Sequence, residues 1–518
     1  MVDTQTHKLS REAPSFEWSH LWQPAIVNPV NLKSYTIPIF NLRDPYARAF
    51  HLSWLGFFVA FLSWFAFPPL IPDAIKSDLD LSAAEVANSN TIALSSTLVM
   101  RVVVGPLVDK YGPRKVMAYL LILGAIPSGL AGTANSAKTL YVLRFFIGIL
   151  GATFVPCQAW TSAFFDKNCV GTANALVGGW GNMGGGATFA IMTSLFQGLT
   201  SRGLTPHVAW RASFAIIPVP ILLIVSGLIF MFGTDHPVGR WSERHNTLAT
   251  QIATRKGHEI HYSDDEKVMQ KNKFGDNEKT ITSLEQVTEQ DEDVNAIRSA
   301  VDFAVNETLT IKSTFQLLVN PLTWLPALAY LTTFGIELAI DSNISGVLFN
   351  LFSKRQPGFT QTTAGYYTSI FGFLNLITRP FGGYLGDVIY RYYGTRGKKM
   401  WTLLTGLIMG ASLLAAGFYL QNRRHSNNAQ LSVLMGVFSV IAIFSELGNG
   451  ANFSLVPHCN AFNNGFMSGL VGSFGNLGGI IFALVFRFVP EVGKSFWIMG
   501  VISIAINVFI LLIPVPKF

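Results

Sequence analysis

Apolar residues run in long blocks along this chain, separated by short polar or charged turns, instead of alternating at the two-residue period of a strand. Twelve blocks stand out, at about 50–72, 88–108, 116–134, 139–164, 170–198, 212–233, 322–349, 363–388, 400–420, 431–456, 465–488 and 495–514. Each is close to the roughly 20 residues a helix needs to cross a bilayer. The pattern predicts an all-α membrane protein with twelve transmembrane helices. Six blocks lie on either side of a hydrophilic stretch, 234–320. Its runs Ser263-Asp264-Asp265-Glu266 and Glu289-Gln290-Asp291-Glu292-Asp293 are expected to be solvated and largely mobile. The predicted order is an N-terminal arm (1–49), a six-helix bundle (50–233), a central loop (234–320) and a second six-helix bundle (321–518). An even number of crossings places both termini on one side.

Composition sharpens this picture. Half of the 518 residues are hydrophobic and only 13% are charged, against about 25% in soluble proteins. Mean hydropathy is +0.38. A soluble enzyme is therefore disfavoured. The stretch 234–320 holds 15 of the 30 acidic residues and 10 of the 37 basic ones, which leaves the rest of the chain poor in acids. The net charge of +7 comes from basic residues at loop ends, not from a patch, so nucleic acid is not an expected partner. Lys110, Arg114 and Lys115 fall between the second and third spans, and Arg391, Arg396, Lys398 and Lys399 between the eighth and ninth. The positive-inside bias makes those loops, both termini and the central loop cytoplasmic. Lys354, Arg355, Arg423 and Arg424 then lie outside, so the rule is only partly obeyed. The first apolar run begins near Phe50, too late for a cleaved signal peptide. Cys157, Cys169 and Cys459 suggest neither a disulfide framework nor a zinc site and read as packing residues.

The two halves repeat each other. Arg101-Val-Val-Val-Gly105-Pro-Leu107-Val-Asp109 is followed by Gly112-Pro-Arg114-Lys115. Arg379-Pro-Phe-Gly-Gly383-Tyr-Leu385-Gly-Asp387 is followed by Gly394-Thr-Arg396-Gly-Lys398. Gly151-Ala-Thr-Phe154 matches Gly450-Ala-Asn-Phe453, and Gly181-Asn182-Met-Gly184-Gly185 matches Gly475-Asn476-Leu-Gly478-Gly479. Two homologous six-helix halves place a substrate site between them, near the bilayer midplane.

The Gly105-x-Leu107-x-Asp109-Lys-x-Gly112-x-Arg114-Lys115 run resembles the 2–3 loop signature of the major facilitator superfamily. The glycine runs 178–186 and 472–479 resemble the paired signatures of its nitrate/nitrite porter family, and the long central loop is similar to that of fungal, including yeast, high-affinity nitrate transporters. The resemblance implies a major facilitator fold of two pseudo-symmetric bundles in the plasma membrane.

Arg101 and Arg379 sit at equivalent positions inside otherwise apolar spans. A charge at the bilayer centre costs about 2.5–3.5 kcal/mol on insertion scales, so two such charges require a reason. One is a structural pairing with an acid, or snorkelling to the interface. The other is a two-armed clamp on an anion, because guanidinium keeps its charge and presents a planar fork. The resemblance carries nitrate binding onto these two arginines. Tyr330, Phe334 and Glu337 fall near one helix face. For the two rings the plain reading is core packing. The resemblance implies instead that Tyr330 donates a hydrogen bond, and that Phe334 and Phe154 flank a flat ion. It likewise makes Asn182 a direct contact, with Asn476 either a contact or a support for helix geometry. The glycines around them read as close-packing positions. Gly179-x-Gly181-x-x-Gly184 fits a dinucleotide fingerprint, but no strand precedes it, so nucleotide binding is rejected.

Asp109 with Arg114, and Asp387 with Arg396, are expected to form gating charge networks, with simple loop solvation as the competing reading. Nitrate entry into a negative-inside cell runs uphill, by about 2.3 kcal/mol per charge per 100 mV. Proton-coupled symport by rocker-switch alternating access is therefore expected, with Glu337 and Glu446 as proton-carrying candidates. Alternatives are nitrate/nitrite exchange, a porter for another small anion such as nitrite, a monocarboxylate or bicarbonate, and a nitrate sensor that also transports. Expected partners are nitrate or nitrite, protons, the lipid bilayer and a regulatory kinase or ubiquitin machinery on the central loop. No nucleophile–base pair or metal-ligand cluster stands out, so no enzyme activity, metal or cofactor is expected.

Overall fold

The computed structural model describes residues 7–515 apart from 11–12, 29–30, 167, 243–310, 423–427 and 460–463. Most of the central loop, and Arg423 and Arg424, therefore lie outside the described residues.

Twelve helical crossings are present among the described residues. The first six are α1 (Pro45–Trp64), α2 (Ala83–Tyr111), α3 (Pro113–Gly129), α4 (Ala137–Phe164), α5 (Val170–Ser201) and α6 (Pro206–Phe232). The second six open with α7 (Pro321–Phe352). A helix Gln361–Leu374 is continued, after a break at 375–377, by Thr378–Asn422, which turns over at Gly394 (φ 59°, ψ −158°). These make α8 (361–393) and α9 (395–422). The last three are α10 (Leu431–Cys459), α11 (Asn464–Phe488) and α12 (Val492–Leu511). Among the described residues nine segments are long and apolar enough to span a membrane, one of them carrying both α8 and α9. The crossings outside that set are α1 and the glycine-rich α5. Helix α5 is mostly buried among other helices, so its composition need not suit lipid.

Local sequence sets the helix ends. Helix α2 opens on a reciprocal cap: Ser82 Oγ accepts from Glu85 N (3.2 Å), and Ser82 N donates to Glu85 Oε2 (2.9 Å). Helices α1, α6 and α7 begin with a proline behind Asp44, Thr205 and Asn320, whose side chains accept the first free amides. Helix α2 ends at Gly112, where φ is +91°. Gly394 is its counterpart, and both bends need a backbone conformation open mainly to glycine.

Large apolar side chains such as Ile224, Met231, Ile377 and Phe488 stay exposed. Arg101, Arg379, Glu337, Glu446, Asn182 and Asn476 are buried. Apolar outside and polar inside is the arrangement a bilayer demands. The bundles meet along two related crossings. A Cβ on Gly105 of α2 would sit 3.0 Å from the Gly465 carbonyl of α11, and one on Gly372 of α8 would sit 2.1 Å from Gly186 Cα of α5.

The N-terminal arm folds against the end of the bundles that carries the 2–3 and 4–5 turns. Strands β1 (Lys8–Leu9) and β2 (Ile26–Val27) pair in parallel. Ser34 exchanges backbone bonds with Phe164 and Asp166 (2.9 Å each), and Asn31 donates to Asp166 Oδ2 (3.0 Å).

Candidate functional site

Arg101 and Arg379 reach the same place from opposite bundles. Arg101 is fully buried on α2; its Nε donates to the Gly151 carbonyl (3.0 Å) and its Nη1 to the Gly472 carbonyl (2.7 Å). Arg379 is fully buried on α8, and its Nη2 donates to Tyr330 Oη (2.9 Å). Both guanidinium groups lie over the same two rings. Arg101 Cζ is 4.8 Å from the centroid of Phe154 and 5.2 Å from that of Phe334. Arg379 Cζ is 5.8 Å from each. Neither arginine forms an ion pair among the described residues. Arg101 Nη2 and Arg379 Nε and Nη1 are buried without an acceptor among the described residues.

The rings form a tight group. Phe154 and Phe334 are parallel to within 19°, with centroids 6.2 Å apart. Tyr330 stacks on Phe334 at 4.7 Å and 7°. Phe453, the repeat partner of Phe154, meets Phe154 and Tyr330 edge-on at 4.8 and 4.9 Å. A planar ion held between two rings needs about 3.5 Å on each side, so Phe154 and Phe334 would part slightly to admit one. Phe154 stands where α4 returns from a 3-10 stretch, Gly148–Thr153, to α-helix. That interruption, invisible in the hydropathy pattern, brings the Gly151 carbonyl to Arg101.

The paired glycine signatures have a definite place. Gly472 of α11 lies against Arg101, where a Cβ would stand 3.1 Å from its Cδ. Gly178 of α5, its repeat counterpart, lies against Arg379, 3.0 Å from Nε. Each arginine thus packs on the glycine helix of the opposite bundle. Gly475 similarly admits the rings of Tyr330 and Phe334.

Asn182, expected as a direct contact, and Asn476, expected as a contact or a support for helix geometry, both donate within the protein. Asn182 Nδ2 donates to Glu337 Oε1 and not toward the arginine pair, because α5 packs on α8 and α10, whose Asn375 and Asn449 reach the same carboxylate; its Oδ1 is without a partner among the described residues. Asn476 Nδ2 donates to the Gly472 carbonyl of its own helix (3.1 Å), stabilising the turn that carries the Arg101 acceptor. Glu337 also accepts from Asn375 Nδ2 (2.9 Å) and Asn449 Nδ2. Glu446 accepts from Asn375 Nδ2 (3.0 Å) and from Thr378 Oγ1. Asn375 therefore joins the two carboxylates. It and Asn449 were missed from sequence; the visible signals were polar residues at the α8 break and in the Glu446-Leu-Gly448-Asn449-Gly450 run.

The loop aspartates also find other partners. Asp109 accepts from Gly465 N (3.1 Å) and Phe466 N (3.0 Å), the first turn of α11. Asp387 accepts from Thr172 N (2.7 Å) and Thr172 Oγ1 (2.8 Å), the first turn of α5. Each acid thus satisfies free amides at the positive end of a helix in the other bundle. Arg114 pairs with Asp235 (3.3 Å) and the Gly233 carbonyl (2.8 Å) and not with Asp109, because the chain leaving α6 folds back beneath it. Arg396 is exposed; buried Lys398 takes its expected place, 2.8 Å from Asp387 Oδ1, because the turn at Gly394 directs Lys398 inward.

Residues 53–483 match the family described as Major Facilitator Superfamily. The chain is 31% identical over 490 residues to High affinity nitrate transporter 2.5 of Arabidopsis thaliana, spanning 94% of this chain and 83% of that protein. It is 27% identical over 496 residues to Nitrate/nitrite transporter NrtP of Nostoc punctiforme, spanning 90% and 91%. Among solved structures, the proton:xylose symporter XylE bound to 6-bromo-6-deoxy-D-glucose superposes with a TM-score of 0.62 at 12% identity, over 91% of this chain and 97% of that one. That likeness concerns the fold alone.

Proposed function

The chain belongs to the Major Facilitator Superfamily and, within it, to the nitrate and nitrite porters; from that premise we propose that it takes up nitrate by proton-coupled symport, holding the ion between Arg101 and Arg379. It is a membrane transporter of nitrate and nitrite and not an enzyme. One observation carries the clamp: two buried guanidinium groups, one per bundle, share the same aromatic pair and, among the described residues, have no acid partner and keep N–H groups unused. An unpaired buried cation is costly. A small permanent anion satisfies both, and a flat one also matches the guanidinium forks and the parallel rings.

Binding neutralises part of the repulsion between the arginines and so favours closure of the bundles. The Asp109 and Asp387 contacts hold one end shut and release together when the bundles rock. We place that end, both termini and the central loop in the cytoplasm, and the protein in the plasma membrane. The 1–49 arm and the two six-helix units move as the domains read from sequence; regulation of 234–320 by phosphorylation or ubiquitin belongs to this proposal as well.

Glu337 supports proton coupling. It accepts from Asn182 across the bundle interface and shares Asn375 with Glu446. Protonation there weakens an inter-bundle contact one helical turn from Phe334. More than one proton per nitrate makes the net charge entering positive. In a voltage-clamped cell at low external pH, nitrate is expected to evoke an inward current; its absence would favour nitrate/nitrite exchange.

The clamp is tested with Arg101→Lys and Arg379→Lys, which keep the charge but lose the fork. Each is expected to raise the apparent nitrate KM at least tenfold. Normal affinity in both variants would refute it.

A further inference from the structure

A third arginine is buried in the N-terminal bundle, away from the central pair. Arg144 of α4 is 4% exposed. Its Nη1 donates to Ser89 Oγ (2.6 Å) and Asn90 Oδ1 (2.6 Å) on α2, and its Cζ lies 5.6 Å over the Phe67 ring. It forms no ion pair among the described residues, and its Nε and Nη2 make no hydrogen bond there. The contrast with Arg211 is informative. Arg211 contacts Asp78 and also donates Nε to the Gly132 carbonyl (3.0 Å) and Nη2 to the Ala134 carbonyl (2.7 Å). Arg211 thereby uses all its edges.

Arg144 borders a small cavity lined by Trp64, Phe65, Asn90, Leu94 and Ser342. Those residues come from α1 and the residue that caps it, from α2 and from α7, so the cavity lies between the bundles. Asn90 Nδ2 closes it by donating to the Ser342 carbonyl across the interface (3.2 Å). Arg144 precedes Phe154 by ten residues on the same span, six of them in the 3-10 stretch, which places it about 18 Å from the central site along the axis. The displacement is away from the Asp109 and Asp387 locks, toward the opposite mouth.

We infer that Arg144 forms a second anion site, which receives the substrate ion at the outer mouth before it passes to Arg101 and Arg379. The unused Nε/Nη2 edge is the fork that suits a planar oxyanion. Ser89 and Asn90 fix the guanidinium through Nη1 and leave that edge without a hydrogen bond among the described residues, on a side chain that lines the cavity. When the bundles part on this side, the Asn90–Ser342 contact breaks and the cavity widens into the entry route. This inference rests on the nitrate reading above.

The test uses the purified full chain and labelled nitrate in equilibrium dialysis. The Arg101→Gln/Arg379→Gln double variant is expected to lose the tighter site and keep one weaker site per chain. Adding Arg144→Gln is expected to weaken that remaining binding at least tenfold. Arg144→Lys, charged but without the fork, is expected to weaken it about threefold or more, and serves if the Gln variant is not recovered as a monodisperse protein. A folded double variant with no residual binding, or residual binding indifferent to Arg144, overturns the outer site and leaves the central clamp standing. A wild-type chain that binds no nitrate at all overturns the transport reading itself.

Discussion

Two residues differ from their neighbours in what they hold in place. Tyr330 makes the only protein hydrogen bond of Arg379 among the described residues, through Nη2. Tyr330→Phe keeps the stacked ring and removes that anchor. A hydrogen bond to a charged group contributes about 1.5–3 kcal/mol, so nitrate KM is expected to rise at least tenfold in uptake assays while surface expression is unchanged. Glu337 is the acceptor for three asparagine amides. Glu337→Gln is nearly isosteric and cannot exchange a proton. It is expected to lose the nitrate-evoked proton current yet retain nitrate counterflow between loaded vesicles. Loss of both activities would assign Glu337 a structural role.

At the scale of helices, small residues decide how closely the bundles approach. Gly186 of α5 and Gly372 of α8 face each other, and a Cβ on Gly372 would lie 2.1 Å from Gly186 Cα. No side chain can yield there, because the obstacle is backbone. Gly372→Val is expected to push the helices apart and shift the protein from a monodisperse peak to aggregate in size-exclusion chromatography. The same crossing brings Asn182 to Glu337, so any surviving protein is expected to transport at less than a tenth of the normal rate.

The molecule as a whole is latched twice at one end, by Asp109 on the first turn of α11 and by Asp387 on the first turn of α5. The two contacts are related by the internal repeat and cross the interface in opposite directions. Asp109→Asn and Asp387→Asn each weaken a charge-assisted bond, by about 1.5–3 kcal/mol. That corresponds to roughly a ten- to hundredfold shift in the closed-to-open ratio. Spin-label distances across this end are expected to lengthen in both variants and most in the pair; unchanged distances would remove the latch role.

Twelve crossings, the duplication and the two interior arginines as outliers were legible from sequence, because burial in lipid forces apolar runs of a set length and makes any interior charge conspicuous. That Phe154, Tyr330 and Phe334 lie beside those arginines came from the structure; the sequence offered core packing for Tyr330 and Phe334, and only the resemblance suggested otherwise. Pairing was not legible. That Asn182 serves Glu337, that Lys398 replaces Arg396, that Arg114 turns to Asp235, and that Arg144 keeps an edge unused all depend on where helices far apart in sequence cross. Hydropathy records whether a residue prefers lipid or protein around it. Which donor meets which acceptor is decided only when close glycine crossings bring the two bundles together, since hydrogen bonds act over about 3 Å and no one-dimensional pattern carries that distance.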